Sequence, residues 1–152
     1  MSKKKKGTRQ PGQRQQPQWR PVSFLPTLAQ HIDGMLQADV EQYQTLLEAK
    51  PKPWVLDDFT VNRIKQVFTT QQKDFHLFDE QLQRWLAEDL TDGQRQEVER
   101  LVEQMKKMRE NNAAVLALAD ELAKGTIEKQ LGKSDLELGL EALLNPDLLR
   151  RK

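Results

Sequence analysis

With 152 residues the chain is sized for one domain, and its 24 Lys and Arg nearly balance 23 Asp and Glu, for a net charge of +1. It is 31% charged and 37% hydrophobic, polar for a compact globule but ordinary for long helices with narrow apolar stripes. There is no cysteine, which excludes disulfides and thiolate chemistry and suits a cytoplasmic setting, and no apolar run approaches the ~18 residues of a membrane span.

Charge is uneven along the chain. Lys3, Lys4, Lys5, Lys6, Arg9, Arg14 and Arg20 lie in the first 26 residues, which hold no acid; the rest carries 17 basic and 23 acidic side chains, a net of −6. Residues 1–22 are rich in Lys, Gln, Arg, Pro and Gly. They are predicted to be a disordered basic tail, because this composition buries too little apolar area to offset the entropy of ordering. Trp19 has two readings, an anchor on the folded body or part of a short binding motif. No apolar stretch follows the charged start, so no secretory leader is expected, and Ser2 rather than glycine follows Met1, so no myristoylation is expected.

A helical domain is expected over 23–149. The first helix, 27–49, opens on a capping box of Thr27 and Gln30. Leu28, Ile32, Met35, Leu36, Val40, Tyr43, Leu46 and Leu47 recur at helical spacing. Gly34 weakens it by roughly 1 kcal/mol relative to Ala. Its acids, Asp33, Asp39, Glu41 and Glu48, meet no Lys or Arg between Thr27 and Ala49; they read as a solvated face, or as a transient partner for the basic tail. Pro51 and Pro53 end the helix in a stiff connector.

The second helix, 57–90, takes Asp57 as its cap, with Leu56 and Val61 placed for a hydrophobic staple. Its seam runs Ile64, Phe68, Gln71, Phe75, Phe78, Leu82, Trp85, in alternating steps of four and three. A second capping box, Thr91 with Gln94, opens the third helix, 92–124, whose seam is Val98, Leu101, Met105, Met108, Asn112, Val115, Ala119 and Leu122. Gly125 is placed to end it. The short link at 91–93 predicts that these two helices lie antiparallel. Two short helices follow: 127–131, capped by Thr126 and stopped by Gly132, and 135–144, opened by Ser134 and Glu137 and broken at Asn145-Pro146. Arg150, Arg151 and Lys152 form a frayed basic end.

The chemistry-bearing residues are few. The residues three before His31 and His76 are Leu28 and Lys73, so the Glu-x-x-His pairs of a carboxylate-bridged metal site are missing. His76 is expected to hydrogen-bond Asp79 or Glu80 at the surface. There is no nucleophile elbow and no glycine-rich phosphate loop. No catalytic residue, metal or cofactor is therefore expected. Gln71 and Asn112 interrupt the apolar seams. They either pair across the hairpin, fixing register at some loss of stability, or face water at a gap. Basic residues of the third helix alternate with Glu97, Glu99, Glu103 and Glu110, which suits an exposed face more than a groove-reading helix.

The expected fold is all-α: an antiparallel three-helix bundle built on a long helical hairpin, with the C-terminal helices capping one side. The expected function is that of a non-enzymatic interaction or assembly protein. Its partner is another protein or a second copy in a homodimer, met through apolar helix faces carrying Phe68, Phe75, Phe78, Trp85, Met105 and Met108. These six are core candidates first and interface candidates second. The alternative is a nucleic-acid-associated accessory factor, whose Lys3 to Lys6, Arg9, Arg14 and Arg20 neutralise phosphates without reading sequence. An acidic protein or an anionic membrane surface would also suit that tail, and so would no partner at all.

Overall fold

The computed structural model describes residues 18–144, with the side chains of all but 133–138, 141, 142 and 144. Lys3, Lys4, Lys5, Lys6, Arg9, Arg14 and the expected frayed end at 150–152 lie outside the described residues. The described residues are all-helical, with no strand among them. A 3-10 turn, Val22–Phe24, leads into α1 (Leu25–Ala49). A second turn, Pro53–Val55, precedes α2 (Asp58–Leu86), α3 (Asp92–Ala123) and α4 (Ile127–Leu144). The three long helices pack on one another, α1 and α2 each lying against α3.

Local chemistry explains the helix ends. α1 starts two residues before the expected Thr27, and the Thr27–Gln30 box is not its cap: the Val22–Phe24 turn runs directly into the helix through Phe24. Pro26 occupies the first turn, where its absent N–H costs nothing. Asp57 does cap α2, accepting from the Thr60 N–H at 2.8 Å. α2 ends at Leu86, short of the expected 90. Half-buried Leu90 folds back onto the core, and the Arg95 guanidinium reaches the carbonyls of Leu86 and Glu88, both at 3.4 Å. The Thr91–Gln94 box closes in both directions, at 3.1 and 2.9 Å.

The expected pair of short C-terminal helices is corrected to one. α4 is continuous through Gly132, and Ser134 lies inside it rather than at a cap. An interior glycine costs a helix about 1 kcal/mol but does not stop it, and the flanking residues are good helix formers.

The seams fold as their spacing requires. All eight seam residues of α3 are buried, as are Phe68, Phe75, Leu82 and Trp85 of α2. They divide into two apolar clusters. One joins Leu25, Leu28, Ile32 and Leu36 with Phe75, Leu82, Trp85, Val98, Leu101, Met105 and Met108. The other joins Leu46 and Ala49 with Phe68, Val115, Leu118 and Leu122.

Between the clusters lies a polar layer with one residue from each long helix. Asn112 Nδ2 donates to the Phe68 carbonyl at 2.9 Å and to Gln71 Oε1 at 3.1 Å; Gln71 Nε2 donates to Asp39 Oδ1 at 3.2 Å. Gln71 and Asn112 thus pair across α2 and α3. Asp39 is a correction: it is buried, whereas its neighbour Val40, expected in the stripe, is exposed. The seam of α1 therefore runs Ile32, Leu36, Asp39, Leu46.

The N-terminal boundary also moves. Residues 18–22, expected in the tail, are packed on α2. The Arg20 carbonyl accepts from the Trp85 indole Nε1 at 2.9 Å, and the Arg20 N–H donates to Gln81 Oε1 at 2.7 Å. Trp19 lies under the Arg84 guanidinium, 4.5 Å from its ring centre, which decides between its two readings for the anchor. Trp85 is fully buried, and a buried donor left unmatched costs about 1–3 kcal/mol.

Candidate interaction surface

The end of the long helices where α1 stops and α2 begins is organised by the proline connector. Pro53 opens the second turn, and Gly125 abuts it so closely that a Cβ there would sit 2.6 Å from Pro53 Cγ. The turn between α3 and α4 therefore requires glycine for approach. The Leu56 carbonyl accepts from the Ile127 N–H at 2.9 Å. The Asp58 N–H donates to Glu128 Oε1 at 2.9 Å, and Asp58 Oδ1 accepts from Thr126 Oγ1 at 2.6 Å and Lys129 Nζ at 2.9 Å. The Thr126 hydroxyl first, and the Lys129 ammonium second, hold the Asp58 carboxyl below the usual carboxylate range.

These bonds tie down the first turn of α4. Its main packing partner is the Pro53–Val55 turn. Leu131, Leu140 and Leu143 are exposed, so α4 does not lay these leucines over the side of the bundle as expected. Around the same junction Phe59 is 74% exposed, Val55 63% and Trp54 43%, beside Ile127 and Leu131. Single exposed hydrophobic residues are ordinary; several about one junction make it a candidate interaction surface.

The predicted assembly residues lie elsewhere. Phe68, Phe75, Trp85, Met105 and Met108 are buried, and Phe78 is half-buried with its ring centre 5.7 Å from that of His31. The five buried residues belong to the core, and Phe78 packs at its edge with part of its ring exposed. Of the predicted basic contacts only Arg20 is described. Its backbone is pinned to α2 and its guanidinium lies 5.2 Å above the Phe24 ring, so it is part of the fold rather than of a free tail. The surface around Trp54, Val55 and Phe59 escaped the sequence reading, which treated the proline connector as a spacer. The available signal was two aromatics and a valine outside both helical stripes.

The remaining candidates are surface features. The acids expected to serve His76 are taken by arginines, Asp79 by Arg109 and Glu80 by Arg84. Among the described residues no group of three or more His, Asp or Glu converges as metal ligands, and no helix is long and apolar enough to cross a membrane. No family model, curated protein or solved structure matches this chain. What the protein does must therefore be read from its own surfaces. On α3, Arg100 forms a bidentate pair with Asp33 at 3.0 and 2.8 Å and also holds Glu97. Its hydrogen bonds keep both carboxyls below their ordinary range. This clamp joins α1 to α3.

Proposed function

We propose that this protein is a non-enzymatic interaction or assembly protein that docks another protein through the apolar junction of Trp54, Val55, Phe59, Ile127 and Leu131. The observation that carries the reading is the exposure of Phe59, an aromatic ring in the first turn of α2. An exposed aromatic beside other apolar side chains fits the buried centre of a protein interface. A second copy of the chain is the partner to try first. The same reading takes the fold as an antiparallel three-helix bundle on a long hairpin. Its support is the order of the α2–α3 pairs, Lys65 with Asp120, Phe68 with Asn112 and Leu86 with Arg95: numbers rise in one helix as they fall in the other. A cysteine-free chain suits a reducing compartment, and the reading sets the protein in the cytoplasm.

The test is light scattering over a concentration series on the full chain and on Phe59→Glu, which puts a charge into the junction without touching the core. Mass should rise with concentration for the wild type and stay at one chain for the variant. A wild type that is one chain throughout removes the self-assembly form of the proposal. The proposal itself is lost if host-lysate partners captured by the wild type are equally captured by Phe59→Glu.

The six basic residues Lys3 to Lys6, Arg9 and Arg14 support a second reading, non-specific attachment to nucleic acid. Binding at low salt that weakens with added salt, and disappears when residues 1–17 are deleted, would support it. Binding unchanged by that deletion removes it.

A further inference from the structure

The polar layer has three sides, and only two carry hydrogen bonds between side chains. Gln71 of α2 bonds Asn112 of α3 through its carbonyl oxygen and Asp39 of α1 through its amide nitrogen. The remaining side runs between α1 and α3, which pack closely along their lengths. Each of its two residues holds a buried oxygen with no hydrogen-bond partner among the described residues, Asp39 Oδ2 and Asn112 Oδ1. The orientation is forced. The Phe68 carbonyl can only accept, so Asn112 must turn its amide nitrogen toward it and its oxygen away. Gln71 then follows, oxygen toward Asn112 and nitrogen toward Asp39. Two acceptors of the layer are left, and two acceptors cannot bond each other while the carboxyl is ionised; the other orphaned buried side-chain atom among the described residues is a donor, the amide nitrogen of Asn111 beside Asn112 in sequence.

We infer that Asp39 is a proton switch in the core: protonated on Oδ2, it donates to Asn112 Oδ1 and closes the third side of the layer, and ionised, it leaves that side open. No covalent chemistry is involved; one proton is taken from or returned to water. The surroundings favour the neutral form. The residues of α2 and α3 that form the layer with Asp39 are the uncharged Gln71 and Asn112, and the adjacent Asn111 is uncharged too. The charged residues nearest these in sequence, Lys73 and Asp74 on α2 and Arg109 and Glu110 on α3, are exposed, and Arg109 is engaged by Asp79. On α1, Glu41 is exposed and the Tyr43 phenol is half-buried. Burial accordingly pushes the Asp39 carboxyl up to about 6, against a smaller opposing pull from the Gln71 hydrogen bond. Ordinary changes of pH in a cell would then open and close the layer.

The sign follows from linkage. Below about pH 4 the carboxyl is protonated folded or unfolded. Between there and about 6 only the folded state holds the proton, so stability falls as pH rises. Above that the loss is complete. Asn at position 39 reproduces the protonated acid, with one oxygen to accept from Gln71 and one donor for Asn112. Urea midpoints of the full chain and of Asp39→Asn should therefore agree near pH 4 and separate up to pH 7, with the variant the more stable. Superimposed profiles from pH 4 to 8 would overturn the inference. A carboxyl-carbon NMR titration of Asp39 in the wild type needs no variant. A midpoint near 6 supports the switch, and one in the ordinary carboxylate range overturns it.

Discussion

The indole nitrogen of Trp85 donates to the carbonyl of Arg20 at 2.9 Å, across 65 residues of chain. Trp85 lies in the core beside Leu82 and Val98, so its one polar atom is satisfied only by the short segment ahead of α1. The segment that leads out to the lysines is thus also a structural strap. Deleting residues 1–22 is expected to cost on the order of 1–3 kcal/mol more than deleting residues 1–17, because it strands Trp85 Nε1 and removes the partner of Gln81. Urea denaturation of both truncations measures the difference. Equal midpoints would show that the strap contributes nothing.

Two glycines should respond in opposite directions to alanine. Gly125→Ala drives a methyl into the Pro53 ring, since the Cβ would lie 2.6 Å from Pro53 Cγ. Overpacking of this kind costs about 1–3 kcal/mol. Gly34 lies within α1 with nothing within 4 Å of the same position, so Gly34→Ala should add about 0.5–1 kcal/mol from helix propensity alone. Thermal melts of the two variants decide both. A neutral Gly125→Ala would mean that the close approach at the connector is dispensable.

The Arg100 clamp predicts a modest acid sensitivity. Asp33 and Glu97 are held below their ordinary range by Arg100. Each therefore contributes stability that is present above its unfolded pKa and lost as pH falls through the folded one. The side chains are roughly 40% exposed, so the pair contributes no more than about 1 kcal/mol. Arg100→Gln should lower the urea midpoint slightly at pH 7 and make its decline below pH 4.5 shallower. The difference should shrink in 1 M salt. A variant whose acid limb is as steep as the wild type's would show that other carboxylates set it. Asp39 acts in the opposite direction and at higher pH, so the two contributions separate along the pH axis.

Much of this architecture was legible because spacing and capping are local. The alternation of threes and fours from Val98 to Leu122 marks a stripe that the fold buries without exception. Thr91 and Gln94 announce a box that forms as read. Other features depend on partners remote in sequence. Nothing near Asp39 says that it faces Gln71, 32 residues on, and an acid beside a valine reads naturally as polar outside and apolar inside. Arg20 counts as a tail charge until Trp85 and Gln81 are seen to hold its backbone. The exposed ring of Phe59 belongs to no stripe, so periodicity passes over it. The candidate site was less legible than the fold for this reason: exposed apolar residues outside the stripes carry no period.

The polar layer also predicts a trade between stability and uniqueness. Asn112→Leu alone leaves Gln71 Oε1 without its donor and should destabilise by about 1–3 kcal/mol. Replacing Asp39, Gln71 and Asn112 together by leucine removes every polar group of the layer, and well-packed apolar replacements of buried polar sets are often neutral or stabilising. The triple variant should therefore be more stable than the single one. The layer nevertheless sits where it would penalise a slip: moving one helix by a turn would place Asp39 or Asn112 against the apolar residues of either cluster. Without it the two clusters become one continuous apolar column, in which shifted registers differ little in energy. Amide NMR spectra of the triple variant should show extra or broadened peaks, where the wild type gives one set. A single sharp set, with higher stability, would mean that packing alone fixes the register and that the layer serves only the proton on Asp39.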